Sequence, residues 1–209
     1  PLLKGTGKGK KALLHQYYTQ LGIPFPLRHQ TDSDCVSMGT ALAVDTRKVA
    51  EIIQGERESW VAQTSTEDIY SGSRMIIGGG RISGGGSVGI WAAKYINKNN
   101  YGTLIRKKYS FADLTTYSGQ RAAQWGNQKQ SQALLDEAKL HPIGDFTSIE
   151  NYEDVCDALY NDYPVIVCSQ QGFSSTRDAD GFARPQGSWA HCYHPNSWIY
   201  GPNINRLSD

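Results

Sequence analysis

Residues 78–89 read GGGRISGGGSVG, seven glycines in twelve positions. Glycine loses more backbone freedom on folding than any other residue, so neither a helix nor a strand is built from such a run. The segment has to be a loop whose backbone approaches something closely or takes positive φ. A helical pattern, GIWAAKYINKNNYG, opens at its end. The run also contains Gly84-x-Gly86-x-x-Gly89, the spacing of a dinucleotide-binding loop. Such a loop follows a clean apolar strand and precedes an acidic residue about 20 positions on. Here Met75-Ile76-Ile77 is short and set back by further glycines, and position 109 is Tyr, so the pattern does not favour a nucleotide site.

The rest of the chain is organised around this loop. Residues 1–11, PLLKGTGKGKK, alternate glycine with lysine, which predicts an extended or mobile arm over residues 1–20. They lack the Gly-x4-Gly-Lys-Ser/Thr spacing of a P-loop. Asp32, Ser33 and Asp34 offer N-cap chemistry ahead of CVSMGTALAVDTRKVAEII, predicting a helix from Cys35 to Ile53 with Gly39 as its one weak point. Ser65-Thr66-Glu67-Asp68 opens a short helix through about Arg74, and residues 131–140 and 148–161 read as two more. Tyr163-Pro-Val-Ile-Val-Cys-Ser169 reads as a buried strand and Ser188 to Tyr193 as another. Helices first and strands later predict an α+β fold.

Composition excludes several functions. Lys plus Arg is 21 against 20 for Asp plus Glu, so no strong field draws the chain to nucleic acid or an anionic membrane. Apolar runs such as Val165–Cys168 stop at four residues, far short of the roughly 20 of a membrane span. Cys35, Cys156, Cys168 and Cys192 include no CxxC pair, so neither a zinc site nor a disulfide-built scaffold is expected, and Cys156 and Cys168 read as small buried hydrophobes. No metal and no cofactor is implied.

Three elements carry chemistry. Cys35 opens a helix, where unpaired N–H groups and the positive end of the dipole favour a thiolate. Gln30, a few residues upstream, has an amide N–H to offer a developing oxyanion. Near the other end of the chain, Gly187-Ser-Trp-Ala-His191 puts a histidine in a short strand, and a cysteine nucleophile needs such a base. Asn196-Ser197-Trp198 follows, an amide able to hold an imidazole in one tautomer beside a shielding indole.

In that order, with the glycine-rich loop and the Pro-Val-Ile-Val strand between, these elements resemble the papain-like cysteine peptidases over residues 28–198. They are most similar to compact divergent members found in bacterial viruses. The resemblance implies an N-terminal helical lobe, about 28–125, packed against a shortened C-terminal β-rich lobe, about 126–209, in one domain over 21–209. It implies Cys35 as nucleophile, His191 as general base then acid, Asn196 as orienter and Gln30 as oxyanion donor. Gly85, Gly86 and Val88 would match the loop that pairs with an extended substrate backbone and edges the main side-chain pocket. The implied partner is a peptide or protein substrate. Two other roles exist on this scaffold: a peptidoglycan-cleaving cysteine hydrolase, and an inactive structural or binding component meeting other proteins of a virus particle.

The chain departs from that family at defined places. Gln-x4-Cys is one residue shorter than the common spacing, and Asp34 sets a negative charge against Cys35. His191 and Asn196 are five residues apart, too few for the hairpin that usually separates them, so either a break with residues missing from the sequence or a sharp shortcut is expected there. The glycine-rich closing strand is missing.

Overall fold

The computed structural model describes residues 2–56, 59–195 and 197–199. Its elements in order are β1 (Lys11–Leu13), α1 (Gln16–Leu21), α2 (Cys35–Ile53), α3 (Thr66–Ser71) continuing as a π-helical turn (Gly72–Ile77), α4 (Gly89–Ile96), α5 (Gly119–Trp125), α6 (Gln132–Ala138), α7 (Tyr152–Tyr160), β2 (Val167–Arg177), β3 (Ala183–Tyr193) and β4 (Ser197–Ile199). Helices precede the long strands, as the sequence pattern predicts. Among the described residues no helix is long and apolar enough to cross a membrane.

Helix α2 is the axis of the molecule. Val36, Ala41 and Val44 pack with Ile69 of α3, Ala92, Tyr95 and Ile96 of α4, and Leu134 of α6 in the main core. Side chains this size each contribute about 1.5–3 kcal/mol when fully buried, and Ile69 and Tyr95 are fully buried. Gly39, the weak point in the helical pattern, has a packing reason. A Cβ there would lie 3.2 Å from the Cys192 sulfur, so its absence lets β3 lie close to α2.

The start of α3 is fixed by charge. Glu67 is fully buried and meets Arg106 at 2.9 Å and Arg121 at 3.2 Å. It also accepts the Ser118 N–H at 3.1 Å. Burial pushes the Glu67 carboxyl up, but Arg106 and the backbone N–H groups outweigh it and the pKa is lowered. Asp68 beside it is fully buried with little compensation, and burial pushes it up to about 7.

A second core joins the N-terminal segment to α7 through Ala12, Leu14, Val155, Leu159 and Val165. The glycine-lysine segment is docked there. The Asp157 carboxylate accepts the N–H groups of Gly5 and Gly7, each at 2.6 Å, and Asp154 pairs with Lys4. Gly7 lies so close that a Cβ would fall 2.3 Å from the Cys156 carbonyl oxygen.

The strands form two antiparallel pairs, β2 with β3 and β1 with β4. β2 opposes β3 in the register Val167↔Tyr193, Cys168↔Cys192 and Ser169↔His191, with irregularities further out. The expected strand over 163–169 starts late, at Val167. Pro164 has no N–H to give a ladder, the Tyr163 N–H closes the end of α7 on the Ala158 carbonyl, and the Val165 carbonyl is taken by His194 Nδ1 at 2.8 Å. After Tyr193 the chain leaves β3 directly, and Ser197–Ile199 pairs with Leu13–Lys11 instead. Among the described residues no hairpin follows Tyr193; Asn196, the other end of the His–Asn expectation, lies outside them.

Candidate active site

The first residue of α2 meets the inner end of β3. Cys35 is half-buried and packs against the core cluster that includes Val36 and Cys192, whose backbone N–H groups favour its anion. Its pKa is nevertheless raised. Burial is the main cause, and Cys168 and Asp34 add to it, while the two N–H groups only partly oppose it. Helix-start placement alone therefore does not give the thiolate expected from the sequence.

Asp34 is the N-cap of α2, yet its side chain makes no capping bond. It is fully buried, its Oδ1 accepts the Tyr117 hydroxyl at 3.2 Å, and Oδ2 has no partner among the described residues. Burial, aided by Asp32, pushes its carboxyl up to about 7. Near neutral pH this carboxyl is divided between a neutral form and an anion, and the anion disfavours a second negative charge on Cys35.

His191 lies on β3 one residue before Cys192. Its half-buried ring stacks on Trp189 at 4.6 Å with 10° between planes, and meets Tyr193 edge-on at 4.9 Å. The imidazole makes no hydrogen bond to a described residue. Burial lowers its pKa, with no contribution from Cys35. His194 is different: it bridges Val165 and Thr46, and burial pushes it down to about 4. Because a carbonyl only accepts, His194 Nδ1 carries the proton, and the residue is a structural strut.

Gln30 lies just upstream of Cys35, and its amide nitrogen donates to the Asp32 carbonyl at 2.6 Å. Arg28 fixes the approach to this segment by pairing with the buried Asp45 and donating to the Thr64 carbonyl at 3.1 Å. Asn196 lies outside the described residues.

The glycine-rich loop is pressed against the residues before Cys35. A Cβ on Gly85 would fall 2.4 Å from Ser33 Cβ, which explains why glycine is required there. Gly86 has φ +92°, its N–H reaches the Ser33 carbonyl and the Tyr70 hydroxyl, each at 3.0 Å, and its carbonyl accepts from Arg74 at 2.5 Å. Gly86 is thus occupied on both sides by the protein itself. Gly85 and Val88 are exposed.

Sequence reasoning missed Arg74 and Tyr117. Arg74 is 2% exposed and donates to the carbonyls of Gly126, Gly86, Gly84 and Ile82, holding the loop in one shape. The only hint in the sequence is a lone arginine in an apolar segment just before a glycine run. Tyr117 carried no signal, because its partner Asp34 is distant in the chain.

The sequence matches no protein-family model and no curated protein. The structure is similar to the crystal structure of xylellain, a cysteine protease from Xylella fastidiosa. The match has a TM-score of 0.57 at 14% identity and covers 95% of this chain and 71% of that one. At that identity the likeness speaks for the fold: the chain has the α+β architecture of a papain-like cysteine protease.

Proposed function

We propose that the chain is a papain-like cysteine peptidase with Cys35 as nucleophile and His191 as its base. The observation carrying this reading is the meeting of α2 with β3. Cys35, at the start of the long helix, packs against the core cluster that holds Cys192, the residue after His191. In the reaction the Cys35 sulfur attacks a peptide carbonyl carbon as its proton passes to His191. His191 then protonates the departing amine, and water, deprotonated by the same imidazole, releases the acid. Gln30 retains a second amide hydrogen for the oxyanion, Asn196 orients the imidazole, and Gly85, Gly86 and Val88 edge the substrate cleft, with Gly85 the residue whose backbone meets the peptide.

In the structure the His191 ring is stacked on Trp189, and any reorientation of it towards Cys35 gives up that contact. A stack of this kind is worth about 0.5–1.5 kcal/mol, so leaving it costs no more than roughly a tenfold loss of population. Ring rotation takes nanoseconds or less where a residue is partly exposed.

A second reading, an inactive papain-like scaffold serving as a structural or binding component, draws support from the raised Cys35 pKa and the stacked His191. A mixed fluorogenic peptide library separates the two. Cleavage abolished by Cys35→Ala and reduced by roughly 10²–10⁴-fold in His191→Ala supports the peptidase. Identical traces for wild type and Cys35→Ala refute it in favour of the scaffold.

A further inference from the structure

Cys168 and Cys192 face each other directly across the β2–β3 pair, with their sulfurs 2.9 Å apart. Directly opposed residues in an antiparallel pair have Cα atoms about 4.5 or 5.5 Å apart, inside the roughly 4.4–6.8 Å range a disulfide accepts. Bringing the sulfurs to bonding distance takes a movement of about 0.9 Å. The two thiols differ in access. Cys168 is an exposed residue and Cys192 is buried against α2 at Gly39. The Cys168 sulfur also rests on Gly89, where a Cβ would lie 2.7 Å away, so a glycine preserves its place at the start of α4. The pair therefore lies between the glycine-rich loop and Cys35.

We propose that Cys168 and Cys192 form a redox site, a dithiol that closes reversibly into a cross-strand disulfide with a low-molecular-weight disulfide of the glutathione class as its oxidant. This goes beyond the peptidase reading and does not depend on Cys35 being a nucleophile. Cys168 is the attacking sulfur. It is the exposed thiol of the pair, while Cys192 is buried. The adjacent Cys192 thiol and the Gly89 N–H lower the Cys168 pKa, and the contact with Cys168 together with burial raises that of Cys192. The Cys168 thiolate displaces one glutathione thiolate and forms a mixed disulfide. Cys192 then loses its proton and attacks the Cys168 sulfur, expelling the second glutathione thiolate, and the two protons given up by the protein end on the two glutathione thiols. One small disulfide is reduced and one protein dithiol is oxidised.

The test uses the full reduced chain equilibrated with reduced and oxidised glutathione, quenched with acid, alkylated and digested with trypsin. Arg177 lies between the two cysteines, so their peptides separate unless they are joined. The expected product is a Cys168–Cys192 linked peptide. At a fixed ratio of reduced to oxidised glutathione, a tenfold dilution of the pool should raise the linked-to-free ratio about tenfold, because two glutathiones are released per protein disulfide. A mixed disulfide would not respond to that dilution. Cys192→Ser should stop at the glutathione adduct on Cys168, and Cys35→Ala should leave the linkage intact. A dilution-insensitive adduct in the wild type, a link through Cys35, or a pair that stays fully alkylatable overturns the proposal.

Discussion

Replacing Asp34 with asparagine isolates the carboxyl that sits beside Cys35. Asp34 is fully buried, and its pKa of about 7 compares with 3.8 for an ordinary aspartate. A carboxyl raised on folding binds its proton more tightly in the native state. Between those two values the native protein holds a proton that the unfolded chain has lost, so stability falls as pH rises through this window. At about 1.36 kcal/mol per unit, the loss from this one group is about 1.5 kcal/mol at pH 5 and about 4 kcal/mol at pH 8. Asparagine keeps the shape and an acceptor for Tyr117. Its NH₂ takes the place of the unpartnered Oδ2, much as the protonated acid would. The variant should therefore approach wild-type stability at low pH and exceed it increasingly towards pH 8, by about 2.5 kcal/mol more there than at pH 5. Urea unfolding of both proteins at pH 5, 6, 7 and 8 reads this directly. Asp68 is also raised to about 7 and remains in both proteins, so it cancels in the difference. A gap between the two proteins that is the same at every pH would refute the claim that Asp34 is buried and reluctant to ionise.

Three further outcomes follow from the loop and the thiols. Gly85→Ala forces Cβ against Ser33 and should destabilise the protein by more than Gly84→Ala, which meets open space and bears only the strain of φ +74°, about 1 kcal/mol; thermal melting of the pair gives the comparison. Arg74→Met leaves the buried Gly126 carbonyl and the part-buried carbonyls of Gly84 and Gly86 without their donor and should cost about 3 kcal/mol in urea unfolding, a loss near zero contradicting the pinning role. In the fully reduced protein at pH 7, iodoacetamide should modify Cys168 first and Cys192 last, and mass spectrometry of the time course would contradict the assigned pKa directions if Cys192 led.

Much of the scaffold is legible in local pattern, and the failures have local causes. The bounds of α2 follow from Asp-Ser-Asp chemistry before an apolar periodicity that tolerates one glycine. The glycine-rich loop and the helix after it follow from backbone entropy alone. Helix α5 was not anticipated. Its sequence, GQRAAQW, is mostly polar, and its one cue is Ser118, whose side chain accepts the Arg121 N–H at 3.2 Å. The outer part of the β2–β3 hairpin is polar on both faces, with Phe173 and Trp189 exposed, so no alternation marks it. For the proposed site, residue type and order point to Cys35, His191 and the glycines because they carry chemistry. What was not legible is energetic. Whether Cys35 is a thiolate depends on Asp34, Tyr117, Cys168 and Cys192, three of which come from distant parts of the chain. Cys168, which reads as a buried hydrophobe in sequence, is exposed and faces another thiol.

Trp189 provides the sharpest check on the role assigned to His191. The indole is 56% exposed, so Trp189→Ala removes little buried area and should cost under about 1 kcal/mol of stability. It does remove the stacked face against which the imidazole lies at 4.6 Å. Two effects follow if His191 is the base for Cys35. The ring loses cover, so its pKa, now lowered by burial, should rise towards 6.5, as read by the pH dependence of its NMR shifts. The ring is also freed from an interaction worth about 1 kcal/mol, so the population able to meet Cys35 should grow roughly fivefold. An imidazolium beside the sulfur lowers the thiol pKa, so alkylation of Cys35 at pH 6 should accelerate by a similar factor while Cys156 is unchanged. In Trp189→Ala/His191→Ala the acceleration should vanish, which distinguishes a partner base from mere unmasking of the thiol. If the single variant titrates normally at His191 but Cys35 reacts no faster, the stack is not what separates the two groups, and the assignment of His191 as the base fails.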